Sequence, residues 1–174
     1  FVATLRTASD ETRDVYGRMF ELWFLNALES KGAFSRQKLA PPGTTVPQHL
    51  EPWDFSNLHN VAHFDGEAIS SRDDVLTLHI PRVSNFTLVD AIVTRPGRTI
   101  EATLVQVTVA PEHRPTKAQV ESVLKMLTDR KIKVVEIVWV VDANSKLAKW
   151  QAIDNRDTLR AWSTLPQYLC RVDP

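Results

Sequence analysis

The sequence predicts an α/β domain whose core runs helix, three strands, helix, strand. Three observations carry this. In residues 10–31, Tyr16, Met19, Phe20, Trp23 and Ala27 recur at helical spacing. Residues 75–109 hold three runs rich in β-branched residues, separated by turn signals. After them, Val120, Val123, Leu124 and Leu127 fall at i, i+3, i+4 and i+7, followed by the apolar run KVVEIVWVVD at 133–142.

The first helix has Ser9 as its N-cap, Asp10 and Glu11 in its first turn, and Gly32 as its C′ residue. Phe24 and Leu28 widen its apolar arc. Residues 35–73 carry Pro41, Pro42, Gly43, Pro47 and Pro52, which break any long element. Trp53, Phe55, Leu58, Val61 and Phe64 are too apolar for a free linker, so this stretch reads as an excursion packed on the core. Its His59 and His63 lack a third ligand at zinc spacing.

Val75 to Ile80 alternates as a strand and stops at Pro81. Phe86 to Thr94 and Ala102 to Val109 form a hairpin around Arg95-Pro96-Gly97-Arg98, where Pro fixes φ and Gly permits positive φ. Thr116 and Gln119 make a capping box for a helix reaching about Asp129. Lys133 to Asp142 is a buried strand; Trp150 to Ile153 reads as a short strand, Asp157 to Ser163 as a short helix, and Tyr168 to Val172 as a last strand.

The 174 residues suit one domain. Lys and Arg number 21, Asp and Glu 21, so no global basic field marks a nucleic-acid binder. One cysteine, Cys170, excludes an intramolecular disulfide framework. No apolar run approaches the ~18 residues of a membrane span. The first residues do not read as a signal peptide, and the start at Phe1 suggests the C-terminal part of a longer protein.

The chemistry centres on polar residues inside the hairpin. Strand side chains alternate faces, so Leu88, Asp90 and Ile92 share one face, and Leu104, Gln106 and Thr108 share one face. If those faces match, a carboxylate, a carboxamide and a hydroxyl converge. A buried carboxylate is costly without a partner, and a divalent cation is one way to satisfy it. Glu21, flanked by Gly17, Phe24, Leu25 and Leu28, is either a solvated edge residue or a helix carboxylate aimed at that site.

Asp90 on one strand and Gln106-Val107-Thr108 on the next resemble the PD-(D/E)xK, or restriction-endonuclease-like, nucleases. The longer string is similar to the C-terminal nuclease domains of Crinkler effectors and retrotransposon hot spot proteins. It runs V-D-A-I-V, then L-V-Q-V-T-V, His113 and an amphipathic helix, closing with I-V-W-V-V-D, W-Q-A-I and L-P-Q-Y-L-C-R-V-D. The resemblance implies an αβββαβ core with a mixed sheet flanked by helices. It also implies Mg²⁺ or Mn²⁺ held by Asp90, the Gln106 amide oxygen, the Val107 carbonyl and, through water, Glu21. Thr108 stands where the pattern has lysine, and Lys117, in the first turn of the following helix, is the candidate replacement.

Arg95 and Arg98 at the hairpin tip, with His113 and Arg114 after the second strand, are candidate phosphate contacts. Arg130, Lys131 and Lys133 suit a helix C-terminus equally well. The activity implied is metal-dependent cleavage of DNA, with RNA also open, in the nucleus of a host cell; a homodimer is compatible. Two other readings remain. A degenerate fold of the same type would bind nucleic acid or protein without cutting. An unrelated α/β domain would lack the αβββαβ order.

Overall fold

A computed structural model describes residues 10–30, 32–65, 69, 74–82, 86, 88–110, 112–153 and 159–173. Its frame is one eight-stranded mixed sheet. In chain order the elements are α1 (Asp10–Glu29), β1 (Ala33–Lys38), β2 (Leu50–Asp54), β3 (Leu58–Phe64), β4 (Leu76–Pro81), β5 (Ala91–Arg95) and β6 (Glu101–Thr108). α2 (Lys117–Thr128), β7 (Lys133–Asp142), α3 (Arg160–Ser163) and β8 (Gln167–Val172) complete the chain.

Across the sheet the order is β2-β1-β8-β7-β6-β5-β4-β3. β4, β5 and β6 pair antiparallel in turn, while β7 lies parallel to β6 and to β8. The expected sequence of helix, three strands, helix and strand is present as α1, β4, β5, β6, α2 and β7. Three further strands intervene between α1 and β4.

Both faces of the sheet are covered, and strand alternation sorts the side chains between them. Phe20, Phe24 and Leu28 of α1 pack with Val105 and Val107 of β6 and Val138 and Val140 of β7. On the other face, Val120, Val123 and Leu127 of α2 pack with Leu104, Ile137 and Trp139. The apolar periodicities therefore identify the two helices and the strands they cover. The T-x-x-Q pair forms the full capping box: the Thr116 hydroxyl accepts from Gln119 N, and the Gln119 carboxamide accepts from Thr116 N.

Several expectations are corrected. The Phe86–Thr94 strand begins only at Ala91, because Leu88 takes a left-handed φ of 85° and bends the chain. The Trp150–Ile153 segment forms no strand. Pro81 lies inside β4 rather than after it. Of the expected Asp157–Ser163 helix only Arg160–Ser163 is helical among the described residues, and Ser9 lies outside them.

The 35–73 excursion is part of the sheet itself. β1 and β2 extend it past β8, and β3 extends it past β4. Pro52 misled the reading: β2 is an edge strand, where a missing N–H is tolerated. Among the described residues no helix is long and apolar enough to cross a membrane.

Gly32 is required for closeness rather than for positive φ. Its N–H reaches Ala27 O at 3.1 Å. A Cβ there would lie 2.9 Å from that carbonyl oxygen and 2.9 Å from Phe34 Cζ. Gly32→Ala is therefore expected to cost about 1–2 kcal/mol, lowering the melting temperature by roughly 3–6 °C. An unchanged melting curve would show that the α1–β1 junction relaxes freely.

Candidate active site

Asp90 stands where the bend at Leu88 becomes β5. Its N–H donates to Val105 O at 2.9 Å, so its backbone is already in register with β6. Its side chain is not confined to either face. Oδ2 accepts two hydrogen bonds, from Val107 N at 2.6 Å and from Gln106 Nε2 at 2.7 Å. The same Gln106 nitrogen donates to Val107 O at 3.1 Å. Both donors take Oδ2, and among the described residues none takes Oδ1.

α1 brings the second carboxylate. The helix packs beside the end of β6 at Gly17, where a Cβ would lie 3.4 Å from Val109 Cγ2, an ordinary contact. Glu21, one turn further along, faces the same space as Asp90. Arg18, Glu21, Leu22, Leu25, Arg82 and Asp90 are among the residues that line one open cavity of about 200 Å³.

The electrostatics follow from this crowding. Burial, and then the charge of Glu21, push the Asp90 carboxyl up to about 7, against the pull of the Val107 N–H and Arg18. Burial also raises the Glu21 carboxyl, while Arg18 lowers it. Arg18 thus acts on both acids. Arg82 also lines the cavity and pairs with Asp65 at 3.6 Å, a weak pair because both side chains are well exposed.

The sequence-predicted residues divide clearly. Asp90, Gln106, Val107 and Glu21 come together. Val107 does so first through its N–H rather than the expected carbonyl. Thr108 ends β6, and its hydroxyl accepts from Ala110 N at 3.1 Å, a local turn bond rather than a contact with Asp90. Lys117 is exposed at the start of α2, which packs on the face opposite α1, and it does not line the cavity.

The basic candidates lie elsewhere. Arg95 and Arg98 are exposed at the hairpin tip, where Arg95 lies opposite Glu101 in the β5–β6 register. Asp90 is at the other end of β5, about 17 Å away at roughly 3.3 Å per residue. His113 is a packing residue: its N–H donates to Gln151 Oε1 at 2.7 Å and its ring lies 5.3 Å from Trp139. Burial lowers its pKa. Arg114 pairs with Glu112 at 2.6 Å on the surface. Arg130 donates to Met126 O at 3.2 Å, closing the end of α2.

Sequence reasoning missed Arg18 and Arg82. Arg18 carried a usable signal, since it lies three residues before Glu21 and shares its helix flank. Arg82 follows β4 and carried none.

Among the described residues no group of three or more His, Cys, Asp or Glu side chains surrounds a common point. The site is a pair of carboxylates with neutral neighbours. No protein family, characterised protein or solved structure matches the chain.

The pH dependence of stability tests this geometry. The folded protein holds the Asp90 proton up to about pH 7, whereas an unperturbed Asp releases it near 3.8. Folding therefore takes up a proton between those values, and stability falls as pH rises through the interval. Asp90→Asn keeps an oxygen for both donors and removes the charge. It is expected to match the parent at pH 4. At pH 8 without metal it should melt about 4–8 °C higher, on the order of 2 kcal/mol after discounting partial exposure. An equal or lower melting temperature at pH 8 would contradict the buried-charge account.

Proposed function

We propose that this chain is a divalent-metal-dependent nuclease domain of the restriction-endonuclease-like, Crinkler type, hydrolysing DNA phosphodiester bonds with little sequence preference. One observation carries the reading: carboxylates from two different elements, Glu21 and Asp90, face one solvent-open cavity and repel each other there. The αβββαβ order, with antiparallel, antiparallel and parallel pairing, supports it. By the same resemblance the domain acts in the nucleus of a host cell.

The residues fit Mg²⁺ or Mn²⁺. Two crowded carboxylates gain from a cation between them, and Asp90 Oδ1 is available. Turning over the Gln106 carboxamide would present Oε1 in place of Nε2 and release the Val107 carbonyl from its bond to that nitrogen. Asp90, Glu21, Gln106 and Val107 would then hold the ion. Such an ion would supply Lewis acidity and activate a water for attack on the phosphodiester.

The chain's own residues supply the rest. The Val107 N–H fixes the orientation of Asp90 in either arrangement of the Gln106 carboxamide. Leu22 and Leu25 form the apolar wall of the cavity. Thr108 cannot provide the positive charge of the usual lysine. Arg18, in the cavity and within electrostatic reach of both acids, can contact the phosphate in its place.

A second reading, binding without cleavage, is favoured by the Gln106 amide nitrogen on Asp90 and the locally bonded Thr108 hydroxyl. Supercoiled plasmid incubated with Mg²⁺, Mn²⁺ or EDTA separates the two. Nicking that needs metal and disappears in Asp90→Asn is expected. Plasmid retarded on a gel but intact in every metal would establish the binding reading.

Lys117 and Arg18 can be compared in one assay. At saturating Mn²⁺, Arg18→Met is expected to lower single-turnover cleavage on the order of 10²-fold, the scale for one electrostatic stabiliser. Lys117→Met should stay within about 2-fold of the parent, the small effect of a surface charge remote from the cavity. The reverse pattern would restore Lys117 as the replacement for the missing lysine.

A further inference from the structure

A second cavity, of about 400 Å³, lies beside β8 and β1 on the α2-covered face, level along the strands with Gln106 but separated from it by β7. Its floor is Leu39 and Leu169, both buried. One wall is the half-buried indole of Trp150. Gln37, Gln48 and Lys149 complete the polar lining. The volume is within the usual range for small-ligand sites.

These half-buried and exposed side chains are open to a ligand, unlike the buried glutamines beside them. Nearby structural glutamines are fully engaged. Gln167 accepts from Trp139 Nε1 at 3.0 Å and from Gln151 N at 2.9 Å, and donates to Gln151 O at 3.0 Å. Gln151 in turn accepts from His113 N. Among the described residues, by contrast, the carboxamides of Gln37 and Gln48, the Lys149 ammonium and the Trp150 indole N–H have no protein partner.

The frame around them is held. Gln37 sits on β1, directly opposite Leu169 of β8. The loop carrying Lys149 and Trp150 is braced by Arg171, whose guanidinium donates to Ser145 O and Leu147 O, each at 2.7 Å.

The lining chemistry narrows the ligand. Among the described residues no carboxylate lines the cavity, while Lys149 adds a free cation and Arg171 a second positive charge, so an anionic group is favoured. A flat indole wall suits stacking of a planar ring. Two carboxamides offer paired donors and acceptors of the kind that read the edge of a base. We propose that this cavity binds a nucleotide, with the base against Trp150, its edge toward Gln37 and Gln48, and the phosphate toward Lys149. The source is either a free mononucleotide or one residue of a single strand. The proposal does not depend on cleavage at Asp90.

Calorimetric titration of the full chain tests it. The probes are adenosine and uridine monophosphates, ribose 5-phosphate, inorganic phosphate and a short oligothymidylate, with Asp90→Asn as a background control. Saturable binding of a nucleoside monophosphate is expected, at least about 10-fold tighter than ribose 5-phosphate and unchanged in Asp90→Asn. Trp150→Leu should weaken it about 10-fold or more, and Lys149→Glu, at an exposed position, should weaken it without affecting folding. Binding of oligothymidylate alone, with the same dependence on Trp150 and Lys149, supports the single-strand source. No saturable binding of any nucleotide at millimolar concentration would overturn the proposal. So would equal affinity for ribose 5-phosphate, or affinity unchanged in both variants.

Discussion

The two central strands, β6 and β7, must be buried on both faces, and the placement of Asp90 follows from that. Ala102, Leu104 and Val105, with Ile137, Val138, Trp139 and Val140, are all within the core. A charge amid them needs a dedicated partner, as Glu136 of β7 has in Arg36 at 2.6 Å and the Thr103 hydroxyl at 2.7 Å. Asp90 avoids this by sitting one residue before β5 begins, where the strands open toward solvent. The left-handed backbone at Leu88 places it there. This is a costly conformation for a branched side chain, and it persists because Leu88 and Val89 are anchored in the core. The hydrophobic sandwich thus dictates that the candidate chemistry lies at the end of the sheet.

At that end two tendencies oppose each other. The Val107 N–H and the Gln106 carboxamide hold Asp90 by one oxygen, and Arg18 softens its charge. Burial and the facing Glu21 push the other way and raise its pKa to about 7. An arrangement built only for stability would not set two acids around one small cavity. A balance of this kind, with a titration point moved close to neutrality, is characteristic of functional sites. It also implies a trade: the charge that weakens the folded state above pH 7 is the charge a cation would use.

Much of this was legible in the sequence, and the failures have physical causes. Hydrophobic periodicity identified α1, α2 and β7 because each covers, or is covered by, a continuous apolar layer. The Asp90–Gln106 pairing followed from strand alternation and hairpin register. The sheet edges were not legible, since β2 contains Pro52 and β1 is mostly polar. Neither shows the alternation of a half-buried strand. The surroundings of Thr108 and His113 were not legible, because their partners are distant in sequence or hidden in local turns, namely Gln151, Trp139 and Ala110. Arg18 escaped notice because a solvent-facing arginine on a helix gains meaning only once the strand end is seen beside it.

The central claim is that Asp90 and Glu21 together form one cation site, and Mn²⁺ binding measures it without requiring catalysis. Titrating Mn²⁺ into the full chain, followed by electron paramagnetic resonance, should show a single site at pH 8. Protonation of Asp90 competes with the metal, so the affinity should fall by roughly 30-fold at pH 5.5. The site should be lost in Asp90→Asn and weakened in Glu21→Gln. Mn²⁺ binding that is absent at pH 8, or that survives unchanged in Asp90→Asn, would contradict the account.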